Sequence, residues 1–153
     1  MRITSTIFGL TLALASPVLA TPALADPCGD LIDRVGAATE ATVVRRTADF
    51  AEFTTRDGIG LTLACDELSA AGAQFKGQTL PDAYFTLLGK AGHAVNGLPA
   101  EAIAEAGRTA RASAETKRHS QIDLGKALVT CSLSRMSDVP VTTCAAIDKD
   151  DRT

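Results

Sequence analysis

The chain has no tryptophan, one tyrosine and five phenylalanines among 153 residues. Its core must therefore rely on aliphatic and small side chains, with little help from large rings. Histidine is equally scarce: only His93 and His119 are present. That excludes sites built from clustered imidazoles, and with two methionines and no His/Cys cluster, copper handling has no support either. None of the four cysteines falls in C-x-x-C or C-x-x-C-H, which excludes a thioredoxin-like pair, a zinc knuckle and haem attachment. G-x-S-x-G elbows and Walker phosphate loops are missing as well. There is no basic excess: 15 Lys+Arg stand against 18 Asp+Glu, a formal charge of −3, so no nucleic-acid footprint exists. No metal or cofactor is expected.

What is present begins with "MRITSTIFGLTLALASPVLATPALADPCGD". One basic residue, Arg2, precedes an apolar run to about Ala15, then Pro17 and the small-residue endings Val18-Leu19-Ala20 and Ala23-Leu24-Ala25. This is the three-part design of a secretory signal peptide, with A-L-A before Asp26 as the best cleavage site. Pro17 and Pro22 break the roughly 20 apolar residues that a membrane helix would need, and no later segment approaches that length. Residues 1–25 are thus read as a leader and Asp26–Thr153 as the mature chain, with a formal charge of −4 once Arg2 is removed. Lipidation at Cys28 is the weaker alternative, because Asp26 and Pro27 stand where a small residue would precede the cysteine. Arginine over lysine and abundant alanine suggest a bacterial source, and hence a periplasmic or secreted address.

The mature chain suits one domain, residues 26–147, followed by a disordered tail at 148–153. Leu31, Ile32, Val35 and Ala38 fall at helical spacing behind Asp26 and Asp30, which predicts a short first helix. Ile59, Leu61, Leu63 and Cys65 alternate with small residues as in a half-buried strand. The turn signal Asp57-Gly58 makes "DFAEFTT" its hairpin partner. "TVVRRT" reads as a third strand or as helix. "TLPDAYFTLLGKAGHAVNG" predicts a helix with a capping-box-like start at Thr79 and Asp82 and an end at Asn96-Gly97. A second runs from Pro99 to about Lys117 with an alanine stripe. "SQIDLGKALVTCSLSR" reads as one strand whose apolar phase switches at a bulge on Gly125. The fold class is α+β, in the order α-β-β-β-α-α-β-β: an antiparallel sheet of four or five strands, with two or three helices on one face and disulfide support.

Cys28, Cys65, Cys131 and Cys144 admit three pairings, and an exported protein of this size calls for two disulfides. A two-residue turn at Ser137-Asp138 pairs Met136 with Val139, and counting outward sets Cys131 opposite Cys144. In that register Arg135/Pro140 and Cys131/Cys144 are non-hydrogen-bonded pairs, so Pro140 loses no ladder bond and the cysteines lie within disulfide reach. Cys28–Cys65 follows by elimination. Ser-Asp is not the favoured turn dipeptide, and a one-residue change in loop length would spoil the count.

No catalytic set accompanies these clamps. His93 sits at a helix C-terminus, where the dipole favours its charged form and a capping role; His119 sits at a helix exit. They are the weak site candidates. A Ser-His-Asp set drawn from Ser132 or Ser134, a histidine and Asp123 lacks any nucleophile motif. Asp49/Glu52 and Asp66/Glu67 are carboxylate pairs without a marked partner, "DKDD" lacks a calcium-loop pattern, and Arg45-Arg46 reads as a solvated strand face. The expectation is an exported, non-enzymatic binding or accessory domain that meets an unknown protein or envelope component. The alternative is a small envelope hydrolase using His93 or His119.

Overall fold

The structure is a computed structural model; it describes residues 26–65 and 67–150. The expected leader (1–25), Asp66 and the last three residues of the expected tail lie outside the described residues. The elements run α1 (Pro27–Thr39), β1 (Thr42–Arg46), β2 (Phe50–Thr54), β3 (Gly60–Cys65), β4 (Ser69–Lys76), α2 (Ala83–Asn96), α3 (Ala100–Lys117), β5 (His119–Asp123), β6 (Ala127–Met136) and β7 (Val139–Asp148).

α1 starts where the Asp26 carboxylate accepts the Gly29 N–H at 2.9 Å, with Pro27 in the first turn where its missing N–H costs nothing. Leu31, Ile32 and Val35 face inward. The helix-or-strand choice for "TVVRRT" resolves as strand β1, an edge strand exposed at every position and bulged between Val43 and Arg45. β2 and β3 form the expected hairpin. Gly58 takes a positive φ of 69°, and the Thr55 hydroxyl accepts the Ile59 N–H at 3.1 Å and donates to the Ile59 carbonyl at 3.0 Å. α2 ends as read, with Gly97 in the left-handed region and its N–H on His93 O. Its start differs: Asp82 is the N-cap but accepts no hydrogen bond, so the expected capping box does not form.

The sheet has seven antiparallel strands in the order β1-β2-β3-β4-β7-β6-β5, not four or five. Two causes account for the difference. β4 is "SAAGAQFK", whose small alternating residues carry no strand-like hydrophobic signal, yet it is central, between β3 and β7. The phase switch at Gly125 marks a turn instead of a bulge: Gly125 has φ 80°, its N–H is held by Asp123 Oδ1 at 2.7 Å, and Asp123 pairs with Leu128 across β5 and β6. β7 runs to Asp148, and Lys149 N–H donates to Lys126 O at 2.8 Å.

The register lines up inward-facing rows across the sheet. Ala51, Leu63, Ala71, Ala146 and Val129 form one, and Phe53, Leu61, Ala73, Cys144 and Cys131 the next, all buried. α2 packs over β4 and β7, α3 over β5 and β6, and α1 against α2 at the β2–β3 end; β1 is left exposed, touched by α1 through the Arg46–Asp33 ion pair. Small residues on β4 and β7 let α2 approach closely. A Cβ at Gly89 would collide with Ala100 O of α3, and one at Gly92 would stand 2.8 Å from Ala146 Cβ. Tyr84, on the inner face of α2, fills the space over this alanine floor.

Both disulfides are present: Cys28–Cys65, with Cα atoms 5.8 Å apart, and Cys131–Cys144, at 4.1 Å. In the β6–β7 hairpin Met136 faces Val139, Arg135 faces Pro140 and Cys131 faces Cys144. Ser137 and Asp138 take φ of 48° and 67°, the two positive values of a type I′ turn. The Cys131–Cys144 bond lies in the core beneath α3, while Cys28 and Cys65 are half-buried and pin α1 to the end of β3.

Candidate functional site

Neither histidine is among the residues that line the three hollows described below. His93 is exposed at the end of α2, where its Nδ1–H donates to Leu98 O at 2.7 Å and closes the turn into α3. His119 opens β5 and lies opposite Ser132 in the ladder. Since Cys131 points into the core, Ser132 and His119 point to the uncovered face. Asp123, on the same face, lies four residues farther along β5, about 13 Å away at strand rise. It is held there by Lys149 Nζ at 2.8 Å, which with the Gly125 N–H keeps its carboxyl below the usual carboxylate range. Ser134 lines a hollow of about 450 Å³ with Arg118 and Arg135; His119 follows Arg118 in the chain but is not among the lining residues.

Of the carboxylate pairs, Asp66/Glu67 includes a residue outside the described ones, and Asp49 and Glu52 are each engaged by other side chains. Glu52 is ion-paired with Arg45 at 3.2 Å, and Asp49 accepts the Thr47 hydroxyl at 2.7 Å. Arg46 pairs with Asp33 on α1 at 2.7 Å. The two basic residues of β1 are thus neutralised within the chain. Among the described residues no three His, Cys, Asp or Glu side chains are placed to hold a metal ion, and no helix is long and apolar enough to cross a membrane.

Two larger hollows remain. The first, about 500 Å³, lies on the uncovered face over β2, β3 and β4, where Gly60 and Gly72 leave the sheet surface bare. Its polar groups already serve one another: Glu52 holds Arg45, Gln74 Nε2 donates to the Thr143 hydroxyl at 3.2 Å, and Thr62 Oγ1 donates to Gly72 O at 3.5 Å.

The second is a cleft of about 460 Å³ assembled from three segments far apart in sequence. The C-terminal end of α1, with Thr39 and the left-handed cap Glu40, makes one wall. The β2–β3 turn, with Arg56 and Asp57, makes the second, and the first two turns of α2, from Asp82 to Lys90, make the third. Ile59 and Leu87, both buried, form an apolar floor, and the rim is charged. The side chains of Glu40, Arg56, Asp57, Asp82 and Lys90 make no ion pair or hydrogen bond to other described residues. An apolar pocket with a few convergent polar groups is the usual form of a small-ligand site. Sequence reading missed it because each segment reads alone as a cap or a turn; the available signal is charge at element ends without an i,i+4 partner.

Comparison of the chain with protein-family models, with curated proteins and with solved structures finds no match.

Proposed function

We propose that the protein is an exported, non-catalytic binding domain, acting in the periplasm or outside the cell, and that it holds a small envelope component in the cleft between α1, the β2–β3 turn and α2. One observation carries this reading: the charged groups of the cleft have no partner among the described residues, whereas the groups of the sheet-face groove are engaged with one another or with Arg45. Unpaired charges on the rim of an apolar floor give a ligand both burial and orientation. Strand-edge docking is less favoured. β1 is short, bulged and arginine-bearing, the features that blunt an edge against pairing.

The test uses the low-molecular-weight fraction of periplasmic extract. Mature protein incubated with it, recovered by gel filtration and examined by native mass spectrometry is expected to retain a compound. Thr86→Trp, an exposed rim position on α2 whose indole would fill the cleft, is expected to lose that compound with an unchanged melting curve. No retained compound, or equal retention by Thr86→Trp, rejects the reading.

A second reading, a small hydrolase using His119, draws on its ladder position opposite Ser132. It requires that His119→Ala abolish an ester- or amide-cleaving activity without lowering the melting temperature, and that His93→Ala leave that activity intact. The binding-domain reading expects both variants to retain their compound as the wild type does.

A further inference from the structure

We infer that the cleft takes a zwitterion: a molecule with an ammonium at one end and a carboxylate at the other of a small apolar body, as in a short peptide with both termini free. This rests on the binding-domain reading above and adds the chemistry of the ligand. The cleft lies between two helix ends of opposite polarity. α1 terminates on it with its negative, carbonyl-bearing end, and the last turn of α1 holds no basic residue to offset that charge. α2 begins on it with its positive end, holds no acid in its first turn, and its N-cap side chain accepts none of the free N–H groups there.

The side chains add charges of both signs, with Asp82 placing an acid at the α2 end as well. Glu40 stands at the α1 end, and Lys90 projects from the second turn of α2, while Arg56 and Asp57 bring one charge of each sign on the turn between them. Three acids and two bases ring the opening, but the acids do not converge on a point: no metal-holding cluster exists among the described residues. A single cation would therefore leave Arg56 and Lys90 unsatisfied, and a single anion would leave Glu40, Asp57 and Asp82 unsatisfied. A ligand with both signs, set apart by an apolar body over Ile59 and Leu87, answers all three features. The volume of about 460 Å³ suits a molecule far larger than an ion.

The probe is alanyl-leucine, followed by amide chemical shifts of the labelled protein, with its N-acetyl and C-amide derivatives and free leucine as comparisons. Alanyl-leucine is expected to give saturable shifts at cleft residues, and blocking either terminus is expected to weaken binding at least tenfold. Glu40→Gln is expected to weaken alanyl-leucine several-fold yet leave the N-acetyl derivative unchanged, since that derivative has no ammonium to lose; Lys90→Met should do the converse with the amide. Tighter binding of leucine would assign the same chemistry to free amino acids. Blocked derivatives that bind as tightly as the parent overturn the inference. So does a compound retained from extract that carries charge of one sign only, an outcome that leaves the binding-domain reading standing.

Discussion

Opening the two disulfides lowers the melting temperature by roughly 10–15 °C for each bond lost, as each closure is worth about 3–4 kcal/mol on the loop-entropy model. Such terms are large beside a net stability of about 5–15 kcal/mol, and this chain has little other reserve. Its core is aliphatic and alanine-rich, with Tyr84 as the largest fully buried side chain. The two bonds respond to reductant in a fixed order. Cys28 and Cys65 are half-buried, so mild reductant opens that bond in the folded protein, whereas Cys131 and Cys144 are sealed under α3 and open only on unfolding. Alkylation of released thiols followed by peptide mapping, run beside calorimetric melts of Cys28→Ala/Cys65→Ala and Cys131→Ala/Cys144→Ala, checks both statements. α1 also supplies a wall of the cleft, so the first pair of substitutions should weaken ligand retention, and the second should act on stability alone.

Tyr84→Phe costs roughly 1–3 kcal/mol although it deletes one oxygen, because two buried backbone groups each lose a hydrogen bond to the hydroxyl. The hydroxyl donates to Ala73 O at 2.6 Å and accepts the Cys144 N–H at 3.1 Å, and those residues are a register pair of β4 and β7. The side chain of α2 thus bridges the ladder on which the helix rests. Burial pushes the phenol above its ordinary pKa of about 10, against smaller opposing effects of the Cys144 N–H and the Arg111 charge. The folded state therefore holds Tyr84 neutral where the unfolded chain ionises it. The stability this confers is fully present below pH ~10 and is lost as pH rises beyond it. Tyr84 is the only tyrosine and no tryptophan is present, so tyrosinate absorbance reads this one site. The native protein is expected to show none at about pH 10.5, whereas denatured protein is more than half ionised there. A native titration matching the denatured one, or a Tyr84→Phe melt equal to wild type, contradicts this account of the β4–β7 junction.

The β6–β7 register was legible because a two-residue turn turns pairing into counting, and Pro140 tolerates only one parity of it. α2 and α3 were legible from apolar spacing and from Pro99 and Gly97 at their limits. β4 was not: Ala71 and Ala73 are small because Tyr84 and the close-packed α2 need the room, and Gly72 on the other face meets Thr62 Oγ1, so a strand at the centre of the sheet shows the least hydrophobicity. Gly125 gave a true signal of irregularity whose two meanings, bulge and turn, differ only in what pairs with what. The four cysteines were readable as clamps from their spacing and from the expected export. The cleft was out of reach, since Glu40, Asp57 and Lys90 come together only when α1, the β2–β3 turn and α2 are placed in space.

Amide chemical-shift mapping of the labelled mature protein, titrated with the small-molecule fraction of periplasmic extract, tests the binding claim most directly. The account predicts perturbations concentrated at Thr39, Glu40, Asp57, Ala83 and Lys90, absent in Thr86→Trp. Perturbations centred instead on Thr62, Gly72 and Thr143 of the uncovered sheet face, or none at all, would contradict it.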